Sequence, residues 1–396
     1  MAAKWKQFKL TEIVFISDNK IRKFFGKKDY IATGDINTNK ITNSEKITYE
    51  NRPSRAALVM TKNDVLFAKM KNTVKVLMGS NDTEEKVFST GFYIISPKEN
   101  ITKEFLYFFL LSDYFNKQKN LFCTGATMSG LNGTGLRKIE IPVPVDKNGT
   151  PDITEQNRVV DILKEIKFLK EKRIEVDEKM QDVIPALFSQ NFNKRKTYKV
   201  FGIEELISPE HNSLKTGPFG SSLKKETYTK SGYRVYGQEQ VIGGSLEIGN
   251  YFISEQKYIE LKSYAIKSGD ILISLVGTYG KVLIVPDKFQ PGIINPRLIK
   301  ITLNPEIIRP KFFVYLLQTD LVKNQIERLQ RGQVMGVLNL HLIKSLKFLV
   351  PPIPKQDAFL KIASDIESQK EIQSNSTEYI NVFFRSLITQ AFSGEL

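Results

Sequence analysis

The chain has 396 residues, 41% of them hydrophobic, with one cysteine and a net charge of +15. That length is material for two or three packed domains, the lone cysteine excludes a disulfide framework, and the basic balance favours a polyanionic partner. No apolar run in the opening MAAKWKQFKLTEIVF, or further on, reaches signal-peptide or membrane-spanning length, so the expected location is cytoplasmic.

Taken in chain order, DVLFAKM (64–70) reads as a strand and KEFLYFFLLSDYFNKQ (103–118) as an amphipathic helix. A glycine-rich loop follows, TGATMSGLNG (124–133), then the strand IPVPVD (141–146) and EQNRVVDILKEI (155–166), which opens a long helix. The second half says the same again. DILISLV (270–276) matches the strand, and PKFFVYLLQTDLVKNQ (310–325) matches the helix at an offset of 207, placing Asp113 with Asp320 and Gln118 with Gln325. At that offset Gly125, Met128, Leu131 and Asn132 recur in RGQVMGVLNL (331–340) as Gly332, Met335, Leu338 and Asn339. After LVPPIP (349–354) the offset falls to 200, because the loop VDKNGTPD (145–152) has no counterpart. That register holds through KQDAFLKIASDI (355–366) to ALFSQNF (186–192) over SLITQAF (386–392).

The expected fold is α+β: a tandem pseudo-two-fold repeat of an α/β domain followed by a long helix. The expected boundaries are 1–153 for the first domain, 154–192 for the first long helix, 193–353 for the second domain and 354–396 for the second helix. Charge respects this division. Residues 1–150 carry +9 and residues 193–353 carry +10, whereas 151–192 and 354–396 carry −2 each. Two basic domains held by helices that carry none of the excess suit one long polyanion gripped twice.

Along the first helix Ile162, Ile166, Leu169, Arg173, Val176, Met180, Val183 and Leu187 alternate at spacings of four and three, a coiled-coil seam with one polar interruption. The equivalent positions of the second are Ile362, Ile366, Gln369, Gln373, Ser376, Ile380, Phe383 and Leu387, apolar at the ends and polar in the middle. The two are expected to form an antiparallel coiled coil, with Arg173 near Ser376; the bland alternative is two helices each packed on its own domain. Pro185 is a candidate kink.

Signals for chemistry are missing. GPFG (217–220) and GTYGK (277–281) lack GxGxxG spacing and a ribose-binding acid; there is no GxxxxGK[ST] and no Asn/Asp-Pro-Pro-aromatic motif. His211, His341 and Cys123 are too far apart in sequence for a usual zinc site. No metal and no catalytic residue is expected in this chain.

The segment LKTGPFGSSLKKETYTKSGYRVYGQEQV (214–241), with GDILISLVGTYGKV (269–282), NPRL (295–298), VPPIPKQ (350–356) and SLITQAFSGEL (386–396), resembles the specificity subunits of Type I restriction-modification systems. The resemblance covers the whole chain, more loosely in the first half, which lacks the GPFGS and GTYGK segments. It implies two target-recognition domains that each read one part of a split site in double-stranded DNA. It also implies that the helices act as spacer and as docking surface for two modification (methyltransferase) subunits and for restriction subunits. No catalysis is implied in this chain, and S-adenosylmethionine would belong to the methyltransferase partners. Two other readings stand beside it: the specificity subunit of a fused, Type IIB-like system, and a self-contained DNA-modifying enzyme.

Candidate DNA contacts follow from side-chain chemistry. Lys215, Ser221, Ser222, Lys224 and Lys225 surround a glycine-rich turn suited to phosphate. Gln238 and Gln240 have the amide geometry to read adenine. Tyr279 and Lys281 lie in one turn, and Arg297 follows Asn295-Pro296. In the repeated loop Arg331 and Gln333 flank Gly332, and Thr124 holds the place of Arg331 in the first copy. Lys27, Lys28, Lys69, Lys71 and Lys75 form the basic runs of the first half. For each of these, a solvated surface charge is the plainer alternative.

Overall fold

The protein is described by a computed structural model covering residues 4–125, 129–192, 198–275, 281–329 and 339–395, with the side chains of Gly220 and Ser221 excluded. It divides into two units, Met1–Val176 with Gln373–Leu396, and Asp177–Ile372.

In the first unit a four-stranded antiparallel sheet runs Val14–Ser17, Phe92–Pro97, Val65–Ala68, Val76–Met78. The second unit builds the same order from Leu214–Thr216, Leu298–Ile301, Ile271–Ser274 and Val282–Ile284. Val65–Ala68 and Ile271–Ser274 are buried at every position, which is why VLFA and the ILI of the second read as apolar runs rather than alternations. A second sheet shares three strands between the units. Lys28–Ile31 pairs antiparallel with Glu45–Ile47 and parallel with Val87–Ser89; Tyr233–Tyr236 does the same with Phe252–Ile253 and Gly292–Ile294. The fourth strand differs: Ala56–Leu58 adds beside Val87–Ser89 in the first unit, whereas Tyr228–Thr229 adds beside Phe252–Ile253 in the second.

The duplicated helical segment is two helices in each unit rather than one. Lys103–Leu111 stops at Ser112, whose Oγ donates to the Phe109 carbonyl and accepts from Phe115 N to start Asp113–Phe122. Thr319 stands in the same way between Pro310–Leu317 and Asp320–Leu329, with Oγ1 donating to the Leu316 carbonyl. A hydroxyl at this point competes with the backbone for its own hydrogen bonds and resets the helix.

Paired polar residues of the two repeats do identical work. Gln118 donates to the Glu140 carbonyl at 2.8 Å and accepts from its N–H at 2.9 Å, and Gln325 clamps Lys347 at 2.9 and 3.0 Å. Gln156 and Gln356, both fully buried, accept from Thr102 N and Arg309 N respectively. Asn132 and Asn339 cap the short helices Gly133–Leu136 and Leu340–Ser345, each accepting a backbone N–H at 2.8 Å. The recurring asparagine of the glycine-rich loop is thus a helix cap. Met128, Gly332, Met335 and Leu338 lie outside the described residues.

The long helices run Ile153–Phe192 and Ile353–Ser393, the first continuous through Pro185. Each unit's core is completed by the far end of the other repeat's helix. Phe392 packs edge-on against Phe105 and Phe109 at 5.1 and 5.5 Å, while Phe188 and Phe192 pack against Phe312 at 5.0 and 5.2 Å. Along the first helix Lys170, Arg173, Gln181 and Phe188 meet Phe384, Ser376, Lys370 and Phe359 in turn. The partner numbers descend, so the pair is antiparallel.

The seam differs from the expected one at alternate positions. Ile166, Arg173, Met180 and Leu187 are half-buried as one column, with Ile366, Gln373, Ile380 and Leu387 opposite. The second column is Leu163, Lys170, Asp177 and Ile184, with Ala363, Lys370, Thr377 and Phe384, one residue later than the sequence suggests. Leu169, Ile362 and Phe383 are therefore about half exposed, at 51%, 50% and 52%, and do not form the buried seam; Ile162 is at its margin. The all-apolar column Ile162, Leu169, Val176, Val183 dominates the periodicity, but Leu163 and Ile184 face the domain cores, and the polar pairs between them follow.

Candidate nucleic-acid interface

In the first unit the hairpin between Val65–Ala68 and Val76–Met78 turns at Asn72, in the left-handed region at φ 56°, with its N–H held by Asn120 Oδ1 at 2.8 Å. The repeated loop lies against this hairpin: Lys71 N donates to the Ser129 carbonyl at 3.0 Å and Leu131 N to the Lys69 carbonyl at 2.9 Å. Underneath, Lys119 is 1% exposed and its ammonium donates to the Thr73 carbonyl; burial pushes its pKa down to about 8.

This geometry sorts the first-half candidates. Lys71 and Thr124 are exposed beside one another's segments, and Thr124 Oγ1 accepts from Asn132 Nδ2 at 3.1 Å. Lys69 donates to the Thr90 carbonyl at 2.9 Å and sits 4.3 Å over the Tyr93 ring, with burial lowering its pKa. The Lys75 ammonium is bound to the Thr33 carbonyl. Both lysines thus tie the hairpin to neighbouring backbone carbonyls. Lys27 is exposed and Lys28 half-buried over Phe24, 5.7 Å from the ring centroid. Sequence reasoning passed over Arg137 and Lys138, exposed just after the capping Asn132. The Arg137 charge lowers the pKa of the Tyr93 hydroxyl against a larger upward push from burial; the adjacent basic pair was the available signal.

In the second unit three separate motifs converge. A Cβ at Gly217 would stand 1.9 Å from the Asn295 carbonyl oxygen, so only glycine lets those two backbones meet, and Gly237 lies against the Asn295 side chain, 2.5 Å from Nδ2 to an added Cβ. Gln238 donates to Ser274 Oγ at 3.0 Å, joining the strand Ile271–Ser274 to the same cluster. Arg297 is exposed beside it, with its N–H held by Asn295 Oδ1 at 2.9 Å. Ser222, Lys224, Lys225 and Lys281 are exposed as well. Tyr279, Arg331 and Gln333 lie outside the described residues, as does the Ser221 side chain.

Two second-half candidates have internal partners. Gln240 is fully buried, accepting from Gly237 N at 2.7 Å and donating to the Ile248 carbonyl, so its amide holds the turn and cannot reach a base. The Lys215 ammonium is bonded to Asn212 and Ser263 at 3.0 and 2.7 Å and lies 4.1 Å over the Tyr264 ring, an internal brace with its pKa lowered by burial.

Among the described residues no three His, Cys, Asp or Glu side chains are grouped to hold a metal, and no helix is long and apolar enough to cross a membrane. The family model for the Type I restriction modification DNA specificity domain matches the chain twice, over residues 3–178 and 187–382. Among similar proteins of Methanocaldococcus jannaschii, the putative type I restriction enzyme MjaX specificity subunit is 25% identical over 84% of this chain and 78% of its own length. The MjaVIII specificity subunit is 22% identical over 86% of this chain and 80% of its own length. A solved structure, from work on complex assembly and conformational transition of the type I R-M system, covers 99% of this chain and 98% of that one. Its TM-score is 0.69 at 16% identity, a likeness of fold.

Proposed function

The chain belongs to the Type I restriction modification DNA specificity family, and from that premise we propose that it gives a restriction-modification complex its sequence specificity by reading a two-part site in double-stranded DNA. The observation that carries this is the duplication: one four-stranded order is built twice, and three strands of the second sheet recur, yet the exposed polar side chains differ between copies. One scaffold with two sets of surface groups suits two different half-sites.

The functional division assigned here is residues 1–153 and 193–353 as the reading domains, with 154–192 and 354–396 as the spacer helices. Lys71, Thr124 and Lys27 in the first domain, and Ser222, Lys224, Lys225, Gln238, Lys281 and Arg297 in the second, are the DNA-facing groups. Chemistry resides in partners: modification subunits carrying S-adenosylmethionine and, for cleavage, restriction subunits. The chain itself positions them and catalyses nothing. The test is to purify the chain alone and with modification subunits, and incubate each with DNA and labelled methyl donor. Methylation of one two-part sequence, only by the complex, is expected; methylation by the chain alone overturns the proposal.

A further inference from the structure

Phe25 is 96% exposed and Phe219 is 66% exposed, each an apolar ring in a connecting segment. Single exposed apolar residues are ordinary on protein surfaces. These two differ because they fall in the corresponding connection of the duplicated fold. Val14–Ser17 and Leu214–Thr216 are the corresponding edge strands of the first sheets, and each loop leads from that strand into the second sheet. Phe25 precedes Gly26, left-handed at φ 79°, and then Lys27 and Lys28; Phe219 precedes Gly220 and then, four residues after that glycine, Lys224 and Lys225. Arg22 and Lys23 add exposed charge on the other side of Phe25.

The neighbouring ring shows that outward placement is particular to Phe25. Phe24 turns inward, half-buried and edge-on to Tyr49 at 5.8 Å, with Lys28 over its face. The sheet is thus already closed by one phenylalanine while its neighbour points into solvent. In the second unit Leu223 plays the inward part, packed with Tyr228 and Val235, and Phe219 is left out. An exposed aromatic ring followed by a glycine and by cationic side chains matches a base-stacking or wedging group with phosphate contacts beside it. The geometry points to Phe25 and Phe219 as one base-contacting ring per domain, each entering or capping the base stack of its own half-site, with Lys27 and Lys224–Lys225 on the adjacent phosphates. This rests on the reading of the chain as a DNA specificity subunit.

The test uses the full chain assembled with its modification subunits. Duplexes carry the site mapped by methylation, with 2-aminopurine placed in turn at each adenine of the site or beside it. Wild-type complex is expected to raise the fluorescence at one step in each half-site. Phe25→Ala is expected to abolish the signal in one half-site, to weaken binding about tenfold or more, and to leave the salt dependence unchanged, since no charge is lost. Phe219→Ala should do the same in the other half-site, and Phe→Trp at either position should keep both signal and affinity. Wild-type affinity with both alanine variants, or weaker binding with no fluorescence change at any step, overturns the inference. So does loss of the modification subunits from either variant, because the ring would then be a protein contact. A wild-type complex that binds the site no better than a scrambled duplex would instead overturn the specificity reading itself.

Discussion

Arg173 donates through Nη2 to Ser376 Oγ at 2.8 Å and through Nη1 to the Gln373 side chain, so a cation and two neutral polar groups hold the middle of the antiparallel helix pair. Around them the seam stays polar, with Lys170 and Asp177 on one helix and Lys370 and Thr377 on the other. Polar groups in mid-seam lower stability relative to leucine and fix register.

Arg173→Ala should therefore lower stability by about 1–2 kcal/mol, the loss of hydrogen bonds from a charged donor that is only half-buried. Arg173→Leu with Gln373→Leu should be neutral or stabilising by denaturant midpoint. A large loss in the double variant would show that the polar pair is needed for stability itself, not only for register.

Gln156 is fully buried and accepts from Thr102 N at 3.0 Å while donating to the Asn100 carbonyl at 3.1 Å. Gln156→Leu leaves both backbone groups unpaired and should cost about 2–6 kcal/mol, from about 1–3 kcal/mol for each unsatisfied group. Gln356→Leu should act likewise in the second unit, where the amide bonds Arg309 N, the Ile307 carbonyl and the Pro351 carbonyl. Urea unfolding followed by far-UV circular dichroism is the measurement.

Burial holds Lys119 at a pKa of about 8 against an unfolded value of 10.5. Between those values the unfolded chain keeps a proton that the folded chain has released, so this group makes stability rise with pH across that window. The gain is complete above 10.5 and is lost as pH falls through about 8. Lys119→Met should flatten the difference in denaturant midpoint between pH 7.5 and 9.5 relative to wild type; an unchanged difference would show that the ammonium is hydrated in the fold.

Neutralising Lys224 and Lys225 together should weaken binding to all duplexes alike and reduce the slope of log affinity against log salt by about 2, one phosphate each. Gln238→Ala should leave that slope alone and relax one position of the site, since Gln238 anchors the cluster around Ser274. Filter binding of site and scrambled duplexes across salt concentrations separates the two effects.

Much of this architecture is legible in the sequence because duplication turns faint signals into pairs. Gln118 with Gln325, and Asn132 with Asn339, stand out only by recurring, and each pair proves to make the same backbone clamp or cap. The helix phase is less legible: periodicity favours the wholly apolar column through Leu169 and Val176, while the buried column contains Lys170 and Asp177. Side-chain chemistry alone could not separate Gln238 from Gln240 two residues later, because one is half-buried at a motif junction and the other closes a turn from inside. The internal bonds of Lys75 and Lys215 are hidden for the same reason: the carbonyl and hydroxyl groups that engage their ammonium groups come from distant segments.

In the proposed division of labour the domains read the half-sites while the helices set the gap between them. Its most direct test is methylated-site mapping with the reconstituted complex after inserting four residues behind Arg173 and four behind Gln373. Four helical residues add about 6 Å, and a base pair rises about 3.4 Å. The unread gap should lengthen by about one or two base pairs while the bases read on either side stay the same. Changed half-site bases across an unchanged gap would contradict the claim.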